Sequence, residues 1–195
     1  MKNILIVCAL ERETDNQLEG YNVLYTGVGK INATFSLINY FNRMICGPWV
    51  NPEEAKQRLP ETVINFGTAG SRNIPIGRLV ECTSFIQRDM DARGLGFNEF
   101  ETPFSKDTPV ILSNGEGFTC GTGDNFVENT KNESELIDVF DMEAYALANV
   151  CDKFNVPFRC WKYITDNADE KSSKDWNENI SDGIIKFKNE FDKKW

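Results

Sequence analysis

Two acidic residues follow apolar, strand-like runs: Glu13 lies just after Ile4–Ala9, and Asp166 ends the run Phe158–Thr165. The chain has no histidine, which excludes Ser-His-Asp and Cys-His catalysis and zinc sites built on imidazole. Acid and base work then falls to carboxylates, as in glycosyl cleavage, where one group activates water and another protonates the leaving group. Glu13 and Asp166 are the candidate pair, although each acid taken alone is more often a solvated surface residue.

Glycine turns and further acids follow the other strand-like runs. They occupy Gly27–Lys30, Gly67–Gly70, Gly121–Asp124 and Thr165–Asp169. Ligands of open α/β sheets collect at the carboxyl ends of the strands, so these segments are expected to converge on one edge. The turn at Gly27 lacks the third glycine of the dinucleotide fingerprint, and no P-loop pattern occurs.

Repeated strand and helix patterns predict the elements that position these residues. Ile4–Ala9 has the continuous apolar pattern of a buried parallel strand. Val23–Tyr25 predicts a second strand, followed by the Gly27 turn and an amphipathic helix ending near Gly47-Pro48. The apolar positions of that helix are Ile31, Phe35, Ile38, Phe41 and Ile45.

The same α/β pattern continues to the end of the chain. Further strands are predicted at Thr62–Phe66, Leu79–Ile86, Val110–Leu112, around Cys120 and at Phe158–Thr165, with a helix from Glu143 to Phe154. Residues 88–109 are predicted to form a long functional loop or a flap, and a stripe from Trp176 to Phe191 predicts one closing helix. The sequence therefore predicts one α/β domain over residues 1–195, with three αβα layers around a mixed, mostly parallel sheet.

The composition narrows the classes of partner. The chain has 21 Lys+Arg against 30 Asp+Glu, a net charge of −9, so neither nucleic acid nor an anionic membrane is expected to bind. The apolar run from Ile4 to Leu10 is too short for a membrane span or a signal sequence, which favours a cytoplasmic protein. Six cysteines without a CxxC pair are expected to be reduced, buried thiols, and no metal site is predicted.

Seven short motifs occur in order along nearly the whole chain. They are Ala9–Glu13, Thr26–Lys30, Asn65–Gly70, Arg88–Phe97, Gly123–Val127, Asp141–Ala144 and Ile164–Asp169. Together they resemble the motif set of the 5′-methylthioadenosine/S-adenosylhomocysteine nucleosidases, within the nucleoside phosphorylase superfamily. The resemblance implies a nucleoside phosphorylase-like fold, a purine nucleoside substrate and no cofactor.

The resemblance also implies a role for each matching residue. Asp166 would protonate N7 of the departing purine, and Glu13 would orient or deprotonate the attacking water. Glu143 would accept hydrogen bonds from the ribose hydroxyls, on which Met142 would pack, with Thr68 near the water and the sugar. The ring of Phe126 would stack on the base, while the backbone of Val127 would read the edge of the base.

The remaining matches concern the 5′ end of the substrate. Leu10, Val28 and Trp176 match apolar positions of the family pocket, and the segment with Ala92, Leu95 and Phe97 matches one that reaches in from a neighbouring subunit. Ordinary core or loop packing is the alternative for all six. The resemblance therefore implies an uncharged or thioether 5′ group and a homodimer.

Departures from the family pattern leave alternatives open. Asn65 stands where phosphorylases of the superfamily carry arginine, which favours water as the nucleophile. Lys162 replaces a usual arginine, Asp141 shortens a usual glutamate, and the stretch between Glu13 and Gly27 is short for the family. The alternatives are a phosphorylase, a nucleosidase for another purine nucleoside or nucleotide, and a nucleoside-binding protein without turnover.

Overall fold

Eight strands form one mixed sheet in the computed structural model, which describes residues 3–46, 51–105 and 109–195. The strands are β1 (Ile4–Cys8), β2 (Val23–Tyr25), β3 (Thr62–Gly70), β4 (Leu79–Gln87), β5 (Val110–Leu112), β6 (Phe118–Thr122), β7 (Val139–Asp141) and β8 (Phe158–Asp166). Five strand pairs are parallel and three are antiparallel. The prediction of a mixed, mostly parallel sheet is confirmed.

Five of the strands close into a ring. β3 pairs with β8, β8 with β4, β4 with β6 and β6 with β7, and β7 returns to β3 through the pair Gly70 and Phe140. β1 and β2 extend the sheet from β3, while β5 extends it from β4. Because Gly70 also pairs with Asp166, the carboxyl ends of β3, β7 and β8 meet at one place.

Helices cover both faces of the sheet. They are α1 (Lys30–Ile45), α2 (Pro52–Arg58), α3 (Ala144–Phe154), α4 (Ser172–Asn179) and α5 (Ile184–Lys194). Leu5 and Val7 of β1 pack into a core with α1 and α3, whereas the alternate residues Ile6 and Cys8 pack into a core with α5. This alternation follows from the twofold period of side chains along a strand, and the three-layer αβα prediction is confirmed.

The buried face of α1 differs from the predicted one. Ala33, Leu37 and Phe41 are fully buried, whereas Ile31 is 81% exposed and Phe35 is 67% exposed. The buried residues are spaced by four, so they form the stripe that packs on the sheet and α3, and the two exposed residues lie off that stripe. The helix ends at Ile45, and the predicted end at Gly47-Pro48 lies outside the described residues.

Two other predictions need correction. The predicted closing helix is two helices, α4 and α5, because the helical conformation is interrupted at residues 180–183. A Cβ on Gly183 would lie 2.4 Å from Cγ of Tyr163, so the backbone packs tightly there. The segment Gly67–Gly70 continues β3 instead of forming a turn. Of the six cysteines, Cys46 is exposed and the other five are buried.

Candidate active site

A cavity opens at the carboxyl ends of β1, β3, β6, β7 and β8. Its empty volume, which includes space open to solvent, is about 660 Å³. Its walls are mainly apolar, with four buried carboxyl groups among them, those of Glu13, Asp141, Glu143 and Asp166. The lining residues that the sequence predicted for the site are Leu10, Glu13, Val28, Thr68, Phe126, Val127, Met142, Glu143, Asp166 and Trp176.

Glu13 is held in place by four hydrogen bonds. The backbone N–H groups of Ala9 and Leu10 donate to its Oε2 at 3.2 and 3.0 Å. The backbone N–H and the hydroxyl of Thr68 donate to its Oε1 at 2.8 and 2.9 Å. Because the donors come from β3 and from the chain after β1, the carboxylate is fixed between two neighbouring strands.

Asp166 is buried at the end of β8. Its Oδ1 accepts the Ala168 N–H at 3.0 Å, and its Oδ2 accepts the Thr165 hydroxyl at 3.0 Å. Burial raises the pKa of Asp166 above its ordinary value, although hydrogen bonds from Ser172, Ala168 and Thr165 oppose the shift. A carboxyl group with a raised pKa can carry a proton at higher pH than an ordinary aspartic acid.

Gly70 leaves the space that the Asp166 carboxyl group occupies. A Cβ on Gly70 would lie 2.5 Å from Asp166 Oδ1, so Gly70→Ala must displace that carboxyl group. We expect the rate of a reaction that uses this carboxyl group to fall about 10- to 100-fold, since misplacement of a reacting group by 1 Å can cost a hundredfold. Far-UV circular dichroism should remain native, and a G70A variant with native activity would contradict this geometry.

Glu143 is the third buried acid. Its Oε1 accepts the Gly29 N–H at 2.8 Å, which connects the start of α1 to the start of α3. Burial, assisted by the charges of Asp141 and Glu13, raises the pKa of Glu143 to about 8. Lys162 and the Gly29 N–H act in the opposite direction but do not prevent the rise.

This raised pKa predicts a pH-dependent effect of Glu143→Gln on stability. The unfolded chain releases the Glu143 proton near its ordinary value of 4.5, whereas the folded chain holds it to about 8. The folded state therefore loses stability as pH rises through that window. In urea unfolding, the free energy of unfolding of E143Q relative to that of the native protein should increase by more than about 1.4 kcal/mol between about pH 5 and about pH 8. A difference independent of pH would contradict the assignment.

A buried ion pair lies behind the acids. Lys162 Nζ is 2.8 Å from Asp141 Oδ2, and the two side chains are 1% and 0% exposed. Asp141 also accepts the backbone N–H groups of Glu143 and Ala144. Burial alone would raise the pKa of Asp141, but Lys162, the Thr122 hydroxyl and the Ala144 N–H lower it below its ordinary value.

Aromatic and apolar side chains form the rest of the cavity wall. Trp176 donates its Nε1–H to the Thr68 hydroxyl at 2.9 Å, and its ring meets Phe126 edge to face at 5.8 Å between centroids. Phe97 lies outside the cavity of this chain, where its ring contacts Phe104 at 5.3 Å.

Arg88 braces the segment that carries Phe126 and Val127. Its guanidinium is 3% exposed and lies 3.1 Å from Glu133 Oε1. One Nη2–H group donates to the backbone carbonyl of Asn125 at 2.6 Å. Arg88 belongs to one of the seven sequence motifs, but its role could not be predicted, because only the fold brings it close to residues 125 and 133.

The chain matches a known protein family. The family model described as "Phosphorylase superfamily" matches residues 21–192. The chain belongs to the phosphorylase superfamily. A 5′-methylthioadenosine/S-adenosylhomocysteine nucleosidase of an Exiguobacterium species is 26% identical over 191 residues, covering 84% of this chain and 74% of the relative.

Two solved structures from Helicobacter pylori share the superfamily fold. A mutant of the nucleosidase MTAN, with 5′-methylthioadenosine in the active site, superposes with a TM-score of 0.78 at 20% identity and covers 94% of each chain. Native futalosine hydrolase superposes with a TM-score of 0.76 at 20% identity, over 94% of this chain and 92% of the other. At this identity the likeness concerns the fold.

The described part of the chain shows neither a metal-binding cluster nor a membrane-spanning helix. In residues 3–46, 51–105 and 109–195, no group of three or more Cys, Asp or Glu side chains is arranged to hold a metal ion. Within the same ranges, no helix has the length and apolar character needed to cross a membrane.

Proposed function

We propose that the protein is a purine nucleosidase that hydrolyses the N-glycosidic bond of an adenine nucleoside of the 5′-methylthioadenosine or S-adenosylhomocysteine type. The products are free adenine and the 5′-substituted ribose. The observation that carries the proposal is the presence, in one cavity, of an oriented acceptor carboxylate, Glu13, and a buried carboxyl group with a raised pKa, Asp166. The nucleosidase relatives support the adenine nucleoside as substrate.

Asp166 supplies the proton in this mechanism. Adenine is a poor leaving group until its N7 is protonated, and a carboxyl group that retains its proton by burial can donate it. As the bond to adenine breaks, the sugar becomes cation-like. The negative charge of Glu143, in its ionised form, would stabilise that cation.

Glu13 activates the attacking water. Its four hydrogen-bond donors fix both carboxylate oxygens, so the group is oriented before the substrate arrives. Thr68 stands at the same point, since its hydroxyl donates to Glu13 and accepts from Trp176. The water proton passes to Glu13, and the water oxygen forms the new bond to the anomeric carbon.

The surroundings of Asn65 favour water over phosphate as the nucleophile. Its amide donates to the Val7 carbonyl at 3.0 Å, and its Oδ1 accepts from Cys160 Sγ at 3.3 Å. Both ends of the side chain are therefore engaged in the core. Lys162, the buried cation nearby, is paired with Asp141, and a phosphorylase would need positive charge free to bind phosphate.

The wall formed by Leu10, Val28 and Trp176 suits an apolar 5′ substituent. All three line the cavity beside Phe126. A thioether gains free energy when it leaves water for such a wall. We therefore assign this end of the cavity to the 5′ group and the end with Asp166 and Val127 to the base.

A homodimer would complete the cavity. Phe97 lies outside its own chain's cavity, and apolar residues remain exposed around it, with Leu95 at 76% and Phe104 at 92%. Ile31 and Phe35 of α1 are exposed as well, and Lys30 at the start of that helix is paired with Asp89, a few residues before this segment. We propose that these residues meet a second copy, whose segment 92–97 places Phe97 near the 5′ group.

The free cysteines support a location for the enzyme in the cell, and the adenine product supports a role there. Six free cysteines, five of them buried, suit a reducing compartment, so we propose a cytoplasmic enzyme. Adenine released there is available for purine salvage. We also propose that residues 1–195 act as one nucleosidase-like domain.

The test is a product assay over a panel of purine nucleosides with and without phosphate. We expect free adenine from 5′-methylthioadenosine in phosphate-free buffer. A strict need for phosphate with a ribose 1-phosphate product would select the phosphorylase, and binding by calorimetry without product would select the binding protein. Sedimentation of the native protein and of Phe97→Ala tests the dimer, which should persist while KM rises for F97A.

A further inference from the structure

Arg12 has no carboxylate partner among the residues that the structure describes, and it lies beside the cavity through its contact with Trp176. It precedes Glu13 in the short 3-10 turn Glu11–Glu13, and its side chain is exposed. Its guanidinium carbon lies 5.9 Å from the ring centroid of Trp176, within the range of a cation–π contact. Trp176 is itself fixed by its hydrogen bond to Thr68, so Arg12 is held beside the wall of the 5′ end.

The charge inside the cavity makes that position significant. The acceptor carboxylate of Glu13 lines the cavity, and the chain as a whole carries a net charge of −9. A substrate tail ending in a carboxylate is repelled by such a field unless a cation lies near its end. Arg12 is placed to offset that repulsion at the mouth.

The path of a long 5′ substituent leads past Trp176. Leu10 and Val28 line the inner part of this end, Val28 is 40% exposed, and Trp176 is partly exposed. With the 5′ group at this end, as proposed, a methylthio group would contact the apolar wall, whereas a longer thioether would extend towards the exposed edge of Trp176, beside which Arg12 lies. Guanidinium groups bind carboxylates through two parallel hydrogen bonds.

We infer that Arg12 is a specificity residue that favours adenine nucleosides whose 5′ thioether ends in a carboxylate. The inference rests on the proposed nucleosidase function and deepens it. S-adenosylhomocysteine has such a carboxylate together with an ammonium group, which lies in the same tail and partly offsets the attraction. A tail with the carboxylate alone should benefit more.

The test compares three substrates on the native protein and on Arg12→Ala. They are 5′-methylthioadenosine, 5′-S-(3-carboxypropyl)-5′-thioadenosine and the carboxamide of the latter, which has the same length and no charge. We expect R12A to lower kcat/KM for the acid about three- to fivefold and for the other two less than twofold. Raising the salt concentration should lower the native preference for the acid over the amide.

Two further variants sharpen the result. Arg43→Ala removes an equal charge from the last turn of α1 and should leave all three substrates unchanged. Arg12→Glu should lower kcat/KM for the acid further than R12A does. Equal losses on the acid and the amide would overturn the inference and leave Arg12 as packing for Trp176.

Failure of the proposed function is distinguishable from failure of this inference. If 5′-methylthioadenosine gives no adenine, the nucleosidase proposal fails whatever Arg12 does. Calorimetric Kd values for the acid and the amide on the same variants still test Arg12 in that case. A ratio of the two Kd values that is the same in the native protein and in R12A would overturn the inference.

Discussion

Replacement of Asp166 by asparagine is expected to lower kcat for adenine release about a thousandfold, within the range of general acid catalysis. Asparagine has nearly the same shape and can still accept the Ala168 N–H that Asp166 accepts, so the fold is retained. The loss arises because the amide carries no proton that it can transfer to N7. Single-turnover measurement of adenine release separates this effect from slow product release.

The pH profile supplies an independent check. Because burial raises the pKa of Asp166, the protonated form persists to higher pH than in an ordinary aspartic acid. Adenine release should fall as pH rises through that raised value, and Asp166→Asn should lose this limb of the profile. Asp169→Asn, an exposed carboxylate three residues on, serves as the control. Full activity of D166N would remove the general acid from the mechanism.

Replacement of Lys162 by methionine is expected to cost about 3 to 5 kcal/mol of unfolding free energy. The change leaves Asp141, whose side chain is 0% exposed, as a buried charge without its cation. Urea unfolding measures the loss. Lys193→Met, which breaks an exposed pair with Glu190, should cost less than about 1 kcal/mol.

The pH dependence of the Lys162 variant has a definite sign. In the native protein the pKa of Asp141 is lowered by Lys162, so the stabilisation from this carboxylate is lost as pH falls through that lowered value. Without Lys162, burial raises the pKa of Asp141, and protonation relieves the uncompensated charge. The deficit of K162M should therefore shrink as pH falls, and a deficit that grows would contradict the role of the pair.

Most of the strands and helices could be predicted from local sequence patterns. The strand at Ile4–Cys8 was predictable from its continuous apolar run, rich in β-branched residues, and the strand at Phe158–Asp166 from its aromatic and β-branched residues. The break between α4 and α5 was not predictable, because it depends on the contact of Gly183 with Tyr163, twenty residues away in sequence. The strand Val139–Asp141 was not predicted, because its two apolar residues lie between Asp138 and Asp141 and give no extended apolar run.

The residues of the cavity were found by motif, but their partners were not. The position of Glu13 after a strand is visible in the sequence, whereas its bonds to Thr68 depend on the register between β1 and β3. The pairing of Lys162 with Asp141 likewise joins two strands that are not neighbours in the sheet order. Ion pairs of this kind have no periodic signal, so only the fold reveals them.

The ring formed by β3, β8, β4, β6 and β7 fixes the spacing of the catalytic groups but not the identity of the residues around the cavity, so evolution can alter substrate preference without altering that spacing. Each of these strands is bonded on two sides, so the spacing of Thr68 and Asp166 changes only if several ladders change together. Arg12, Phe97 and Trp176 lie outside the strands and can be exchanged without that cost. Directed evolution of substrate preference should therefore accumulate substitutions at the rim while the proton donor stays in place.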